Sequence, residues 1–181
     1  MKICSLSSPR PVATLALLLL LGMGRPVPAQ APAPPTVVPA LISLAEARAI
    51  IDGAIAFTRA QNMLMAVVVV DQSGYVVSSD RMDGVSPANT PLAEGKAFAS
   101  VMFRQTTEVL GDLAKSRPDR YFGIMNMYPG KVYLVGGGVP LVADGKLVGA
   151  VGVAGLPQGV DERAGRAGIA AWDKMRDSMK K

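Results

Sequence analysis

The sequence contains no histidine, and this absence excludes several classes of functional site. Without imidazole there can be no Ser-His-Asp triad, no Cys-His pair, no His-bearing zinc site and no His-ligated haem. Aromatic residues make up only 5% of the 181 residues, so the apolar half of the chain is mostly Ala, Val and Leu. The single cysteine is Cys4. The length suits one domain.

The N-terminus has the three-part pattern of a secretory signal peptide. Lys2 and Arg10 give a basic start, residues 12–23 form an apolar run, and small residues stand at cleavage spacing near Ala29 and Ala31. The run is shorter than the roughly 20 residues that span a bilayer, which disfavours a stable membrane anchor. We therefore expect a periplasmic or secreted protein.

Cleavage after Ala31 would divide the chain into a signal peptide (1–31), a Pro-rich tether (32–40) and a globular domain (41–181). The mature chain would carry 16 Lys and Arg against 14 acids, a net charge of +2, which gives no electrostatic reason to expect a nucleic-acid partner. Cys4 leaves with the peptide, so no disulfide could form. The stability of the domain must then come from its core.

Hydrophobic periodicity predicts an α/β domain of the α+β type. Ser43 and Glu46 have the spacing of a capping box that begins a helix. The apolar run 64–70 is typical of a strand buried on both faces, and a hairpin partner begins at Tyr75. Further strands are predicted over 131–135, 139–143 and 146–153, and a last helix over 160–179. The prediction is about five strands, mostly antiparallel, with helices on both faces.

Two segments between these elements are less regular. A helical pattern runs from Thr90 to about Lys115, where Gly111 indicates a break or a second helix and Pro118 closes the segment. Residues 121–129 have no clear period and are predicted to form a loop. Their aromatic and Met side chains either fold back into the core or form a contact for a ligand or another subunit.

Several residues could contribute to a site, each with a structural alternative. Lys96 lies on the apolar side of a predicted helix, where it either reaches the surface or points into a cavity and binds a carboxylate. Arg81 either pairs with its neighbours Asp80 and Asp83 or binds an anion. The Gly-rich run 136–138 indicates a strand kink, with Pro140 on an edge, or backbone that lines a pocket.

The chain resembles the GlcG/HbpS family of haem-binding-protein-like domains, also found at the C-terminus of PduO-type proteins. The resemblance covers roughly residues 41–172 and depends on the order of its segments rather than on any one of them. The matching segments are LAEARAIIDGAIAFTRAQN, VVVVDQSGYVVSSDRMDG, LAEGKAFASVMFRQTT, GGGVPLVADGKLVGAVGVAG and DERAGRAG.

This resemblance implies a mostly antiparallel sheet flanked by helices, assembled as a homo-oligomer, in a family of which some members bind haem. It also implies a small-molecule pocket whose residues can be carried over by position. The implied ligand-binding residues are Arg81, Met82, Lys96, Gly137, Gly138, Pro140, Asp161 and Glu162. From the residues alone, Asp161 and Glu162 favour only the start of the last helix.

The chain departs from its relatives at Tyr75, where many of them carry His. Haem could therefore be held only with Tyr or Met as the iron ligand, or through its apolar face, and the cofactor stays open. Three functions remain. The first is a secreted binding protein for haem or a related tetrapyrrole, and the second is a ligand-free oligomeric scaffold. The third is an enzyme that uses Arg81 or Lys96 to hold a small carboxylate.

Overall fold

The computed structural model describes residues 41–157 and 159–180. The predicted signal peptide and Pro-rich tether lie outside these described residues. Within the described ranges, no helix combines the length and apolar character needed to cross a membrane.

The described residues form five helices and four strands. In chain order they are α1 (Leu44–Arg59), β1 (Ala66–Asp71), β2 (Val76–Arg81), α2 (Asn89–Phe103), α3 (Thr107–Ser116), α4 (Pro118–Met127), β3 (Gly138–Ala143), β4 (Lys146–Ala154) and α5 (Val160–Met179). The strands make one sheet in the order β2-β1-β4-β3, and every neighbouring pair is antiparallel.

The sheet is covered on both faces, as the buried run of β1 predicts. Alternate side chains of β1 point to opposite sides. Val67 and Val69 belong to the core under α1 and α5, whereas Val68 and Val70 belong to the core under α2. The predicted fold class is therefore confirmed.

Helix α2 packs unusually close to the sheet because two strand residues have no side chain. A Cβ atom at Gly152 of β4 would collide with the carbonyl oxygen of Ala93, and one at Gly138 of β3 would collide with that of Lys96. Backbone therefore lies against backbone at this contact. The approach brings the middle of α2, including Lys96, to the end of the sheet where β3 begins.

The expected strand over 131–135 is absent, so the described sheet has four strands rather than five. Its backbone groups bond to helix residues instead of a neighbouring strand. The amide of Tyr133 donates to the carbonyl of Gly95 in α2 at 3.3 Å, and the Val135 carbonyl accepts from the hydroxyl of Thr107 at 2.7 Å. The segment runs beside α2 as irregular chain.

The loop predicted over 121–129 is mostly helix α4. Pro118 occupies the start of this helix, where its missing N–H costs no hydrogen bond, so it begins a helix as well as ending the previous one. The long helix expected from Thr90 is divided at Arg104, which is left-handed with φ 55°, and not at Gly111. Thr106 then caps α3.

Candidate functional site

A buried ion pair joins α2 to α5. The ammonium of Lys96 lies 2.5 Å from Oδ2 of Asp161 and 2.9 Å from the carbonyl oxygen of Val153 in β4. Lys96 is 3% exposed and Asp161 is 7% exposed. The amide of Leu156 donates to the other Asp161 oxygen at 3.0 Å. Lys96 thus points inward and binds a carboxylate of the chain itself.

Glycine makes room for this pair. Gly137 has φ 127°, and a Cβ there would lie 2.7 Å from Cβ of Asp161 and 3.1 Å from Nζ of Lys96. Its carbonyl accepts from the amide of Val153 at 3.0 Å, and the amide of Gly138 donates to the Thr107 hydroxyl at 2.8 Å. The Gly-rich run therefore brings backbone close to the ion pair.

Burying the charges of Lys96 and Asp161 is energetically unfavourable. Burial raises the pKa of the Asp161 carboxyl above its ordinary value, while the hydrogen bond and charge of Lys96 and the amide of Leu156 partly offset this rise. Because Asp161 already neutralises Lys96, this ammonium is a poor partner for a substrate carboxylate. Of the two cations named for the enzyme hypothesis, Arg81 is then the one left to hold a substrate carboxylate.

Glu162 borders a cavity of about 450 Å³ that residues of α3 and α5 line, here called the glutamate cavity. Arg166 donates twice to Oε1 of Glu162, at 2.9 and 2.6 Å. The buried Oε2 has no hydrogen-bond partner among the described residues. The pKa of Glu108 is raised above its ordinary value, because a protonated Glu108 can donate a hydrogen bond to Glu162 and because the charge of Glu162 disfavours a second carboxylate.

Arg81 and Met82 line a different cavity of about 800 Å³, here called the arginine cavity. Its walls also include the guanidinium of Arg59 and the thioether of Met63. Ile55 and Leu64 contribute aliphatic side chains. Arg81 donates to the carbonyl of Val85 and does not pair with Asp80, which bonds to Arg48 at 2.7 Å. The expected surface ion pair between Arg81 and Asp80 is therefore wrong.

Tyr75 lies elsewhere. It is 75% exposed and borders a third cavity, of about 430 Å³, together with Phe98 and Lys131; we call this the tyrosine cavity. Pro140 pairs with Ala150 in the edge strand β3, as the structural alternative for the Gly-rich run predicts.

The structure therefore does not place the site residues predicted from the sequence in a single pocket. Lys96, Gly137 and Asp161 meet at the ion pair, Glu162 borders the glutamate cavity beside it, and Arg81 with Met82 lines the arginine cavity. Sequence reasoning missed Arg59, Met63, Thr107 and Glu108. A signal existed for the last two, because Thr106 can cap a helix and so predicts that Thr107 and Glu108 occupy its first turn.

The fold defines a class of α+β domain with a four-stranded antiparallel sheet between helices. The chain matches the family model described as "Haem degrading protein HbpS-like" over residues 42–170, and it belongs to this family. The sequence resemblance is confirmed.

Relatives and solved structures agree with this assignment. The corrinoid adenosyltransferase PduO of Salmonella typhimurium is 33% identical over 118 residues, which are 64% of this chain and 35% of PduO, so the match spans about a third of that relative. A double mutant of Streptomyces reticuli HbpS is 28% identical with a TM-score of 0.69, covering 81% of this chain and 97% of that one. A PduOC–haem complex is 26% identical with a TM-score of 0.66, covering 72% and 94%.

Removal of Lys96 should destabilise the fold. We expect Lys96→Met to lower the free energy of unfolding by about 3–5 kcal/mol, because it leaves the Asp161 carboxylate buried without its cation. Urea denaturation measures this change. The matched control is Lys115→Met, which breaks an exposed pair with Asp112 and should leave the free energy of unfolding nearly unchanged. Equal losses in the two variants would contradict the role of the buried pair.

Proposed function

We propose that this protein binds haem or a related tetrapyrrole in the arginine cavity. The observation that carries the proposal is the pairing, in one cavity, of aliphatic walls with two guanidinium groups and two thioethers. A tetrapyrrole with carboxylate side chains is itself a flat apolar ring with anionic edges. Arg59 and Arg81 suit the carboxylates, since guanidinium groups bind carboxylates through paired hydrogen bonds.

In a chain without histidine, methionine sulfur atoms could ligate the haem iron. Met63 and Met82 line the arginine cavity and are half-buried, and Met sulfur ligates haem iron in proteins. The acids that line the arginine cavity do not neutralise the positive charges of both Arg59 and Arg81. Asp80 is paired with Arg48, which leaves Asp83 against Arg59 and Arg81.

The relatives support the same ligand class. The family is described as haem degrading, and a solved relative of 26% identity is a complex with haem. The cavity of about 800 Å³ lies within the range of roughly 300–1,000 Å³ typical of small-molecule sites. Tyr75 is the alternative iron donor, and it would hold haem in the tyrosine cavity instead.

Titration of the purified protein with hemin tests this proposal. We expect a saturable shift of the Soret band, and an apparent Kd that rises about tenfold or more in Arg59→Ala/Arg81→Ala, because a charge-assisted contact contributes roughly 1.5–3 kcal/mol. Met82→Leu should move the Soret maximum if Met82 ligates the iron. Arg163→Ala changes an exposed arginine of α5 and serves as the control.

Two outcomes contradict the proposal in different ways. A hemin titration without saturation would remove haem as the ligand. Loss of the shift in Tyr75→Phe, with the arginine variants unaffected, would move the site to the tyrosine cavity.

We also propose export of the protein to the periplasm or the medium, supported by the pattern of residues 1–31. Expressed in a bacterial host, the exported protein should have an N-terminus just after Ala29 or Ala31 by mass spectrometry. Leu18→Arg interrupts the apolar run and should keep the precursor inside the cell at full length. Full-length wild-type protein confined to the cytoplasm would refute export.

A second function, self-association, is supported by apolar side chains exposed on α3 and α4. We call these residues the α3–α4 surface: Val109, Leu113, Phe122, Met125 and Met127. Phe122 and Met127 are 66% and 73% exposed. Clusters of exposed apolar side chains mark contact sites, and a second copy of the chain fits the oligomer that the family resemblance implies.

Light scattering after size-exclusion chromatography should therefore give a mass at least twice that of one chain. Phe122→Glu/Met125→Glu, which changes two exposed residues one turn apart on α4, should return the mass to one chain, because it would bury two charges in the contact. Met179→Glu, at an exposed position near the end of α5, should keep the oligomer. A single-chain mass for the wild type would reject self-association.

A further inference from the structure

The carboxyl groups of Glu108 and Glu162 both line the glutamate cavity. Glu108 belongs to the first turn of α3 and Glu162 to the first turn of α5. The pKa of Glu108 is raised because a protonated Glu108 can donate to Glu162 and because Glu162 is negatively charged, whereas two ionised carboxylates can only accept. Glu162 is 8% exposed, and its Oε2 has no donor among the described residues. A buried oxygen of this kind is costly unless something donates to it.

Among the acids that line the cavity, one has no basic partner. Four acids line it, and three of them have a basic partner, since Asp161 pairs with Lys96, Glu162 with Arg166, and Asp112 with Lys115. The remaining acid is Glu108. A single positive charge would therefore balance the group and supply the missing donor to Glu162.

We propose that the glutamate cavity binds a small organic amine, with its ammonium group between Glu108 and Glu162. An ammonium carries one positive charge and three hydrogen-bond donors, which matches the charge left over and the unpartnered oxygen. The proposal is independent of tetrapyrrole binding, because the arginine cavity is lined by other residues.

The walls of the cavity favour an organic molecule over a bare metal ion. Leu134, Val135 and Leu156 line it beside the acids, and its volume of about 450 Å³ accommodates an alkyl or aryl group. A hard divalent cation requires about six oxygen ligands. Over residues 41–157 and 159–180, no group of three or more Asp, Glu, His or Cys side chains is arranged to hold a metal.

The site should respond to pH through Glu108. The charged groups that face it are Glu162 and Asp112, which raise its pKa, and Arg166, which lowers it. Lys115 on α3 pairs with Asp112, and the Lys96–Asp161 pair lies on the α5 side. Since the amine needs an ionised Glu108, its affinity should fall as the pH falls through the pKa of Glu108.

Two-dimensional amide NMR of the full chain tests the proposal with butylamine and benzylamine. Ligands of this size should bind with Kd values of about a millimolar, and the shifted amides should include Gly136 and Gly159. Glu108→Gln and Glu162→Gln should each weaken binding about tenfold or more. Because Glu108 is exposed, its replacement should leave the fold intact. Glu94→Gln makes the same chemical change at the tyrosine cavity and should leave the affinity unchanged.

The controls separate the possible failures. The proposal is overturned if neither amine causes saturable shifts, if 1-butanol causes the same shifts, or if Glu108→Gln binds as the wild type does. Saturable binding of Mg²⁺ that displaces butylamine would make the site a metal site instead. Hemin binding should be unchanged in Glu108→Gln, so failure of the amine site and failure of the tetrapyrrole site give different results.

Discussion

The structure depends on one close contact, in which glycine lets α2 lie against the sheet and lets Lys96 reach Asp161. The ammonium bonds to the carbonyl of Val153 in β4 and to a carboxylate of α5, so a single side chain connects both faces of the sheet. Two charges leave water to make this contact, which is unfavourable unless every partner is in position. Gly137 leaves room for the pair, because a Cβ there would crowd Asp161 and the Lys96 ammonium, and Gly138 lets the Lys96 backbone approach, because a Cβ there would collide with its carbonyl.

The same contact determines which acids remain for a ligand. Asp161 is held by Lys96 and by the amide of Leu156, so it acts within the fold. Glu162 follows it in α5, and consecutive helix residues point about 100° apart. Glu162 therefore turns away from Lys96 toward α3 and Glu108. Adjacent acids that look alike in the sequence thus have different partners: Asp161 is neutralised by Lys96, whereas Glu162 keeps one oxygen without a donor among the described residues.

Periodicity predicted the parts of the fold that a single stretch of chain determines. The capping box at Ser43 and the buried strand β1 are both present. Helix α4 was missed because Pro118 suits the first turn of a helix as well as the end of the preceding one. The irregular segment 131–135 was missed because its backbone bonds to a distant partner, Gly95 for Tyr133. The cavities were missed for the same reason: Arg59 and Arg81 meet only once α1 packs beside β2.

Membership of the family therefore establishes the fold more firmly than the chemistry of the ligand. Tight binding of haem is favoured when one cavity supplies both an iron donor and partners for the anionic edge. Tyr75 and Lys131 line the tyrosine cavity. Met63 and Met82 line the arginine cavity together with its two guanidinium groups. Thioether ligation raises the reduction potential of haem iron, and phenolate belongs to a different class of haem protein. The choice between the two cavities would therefore decide the redox chemistry of a bound haem, although the fold around both is the same.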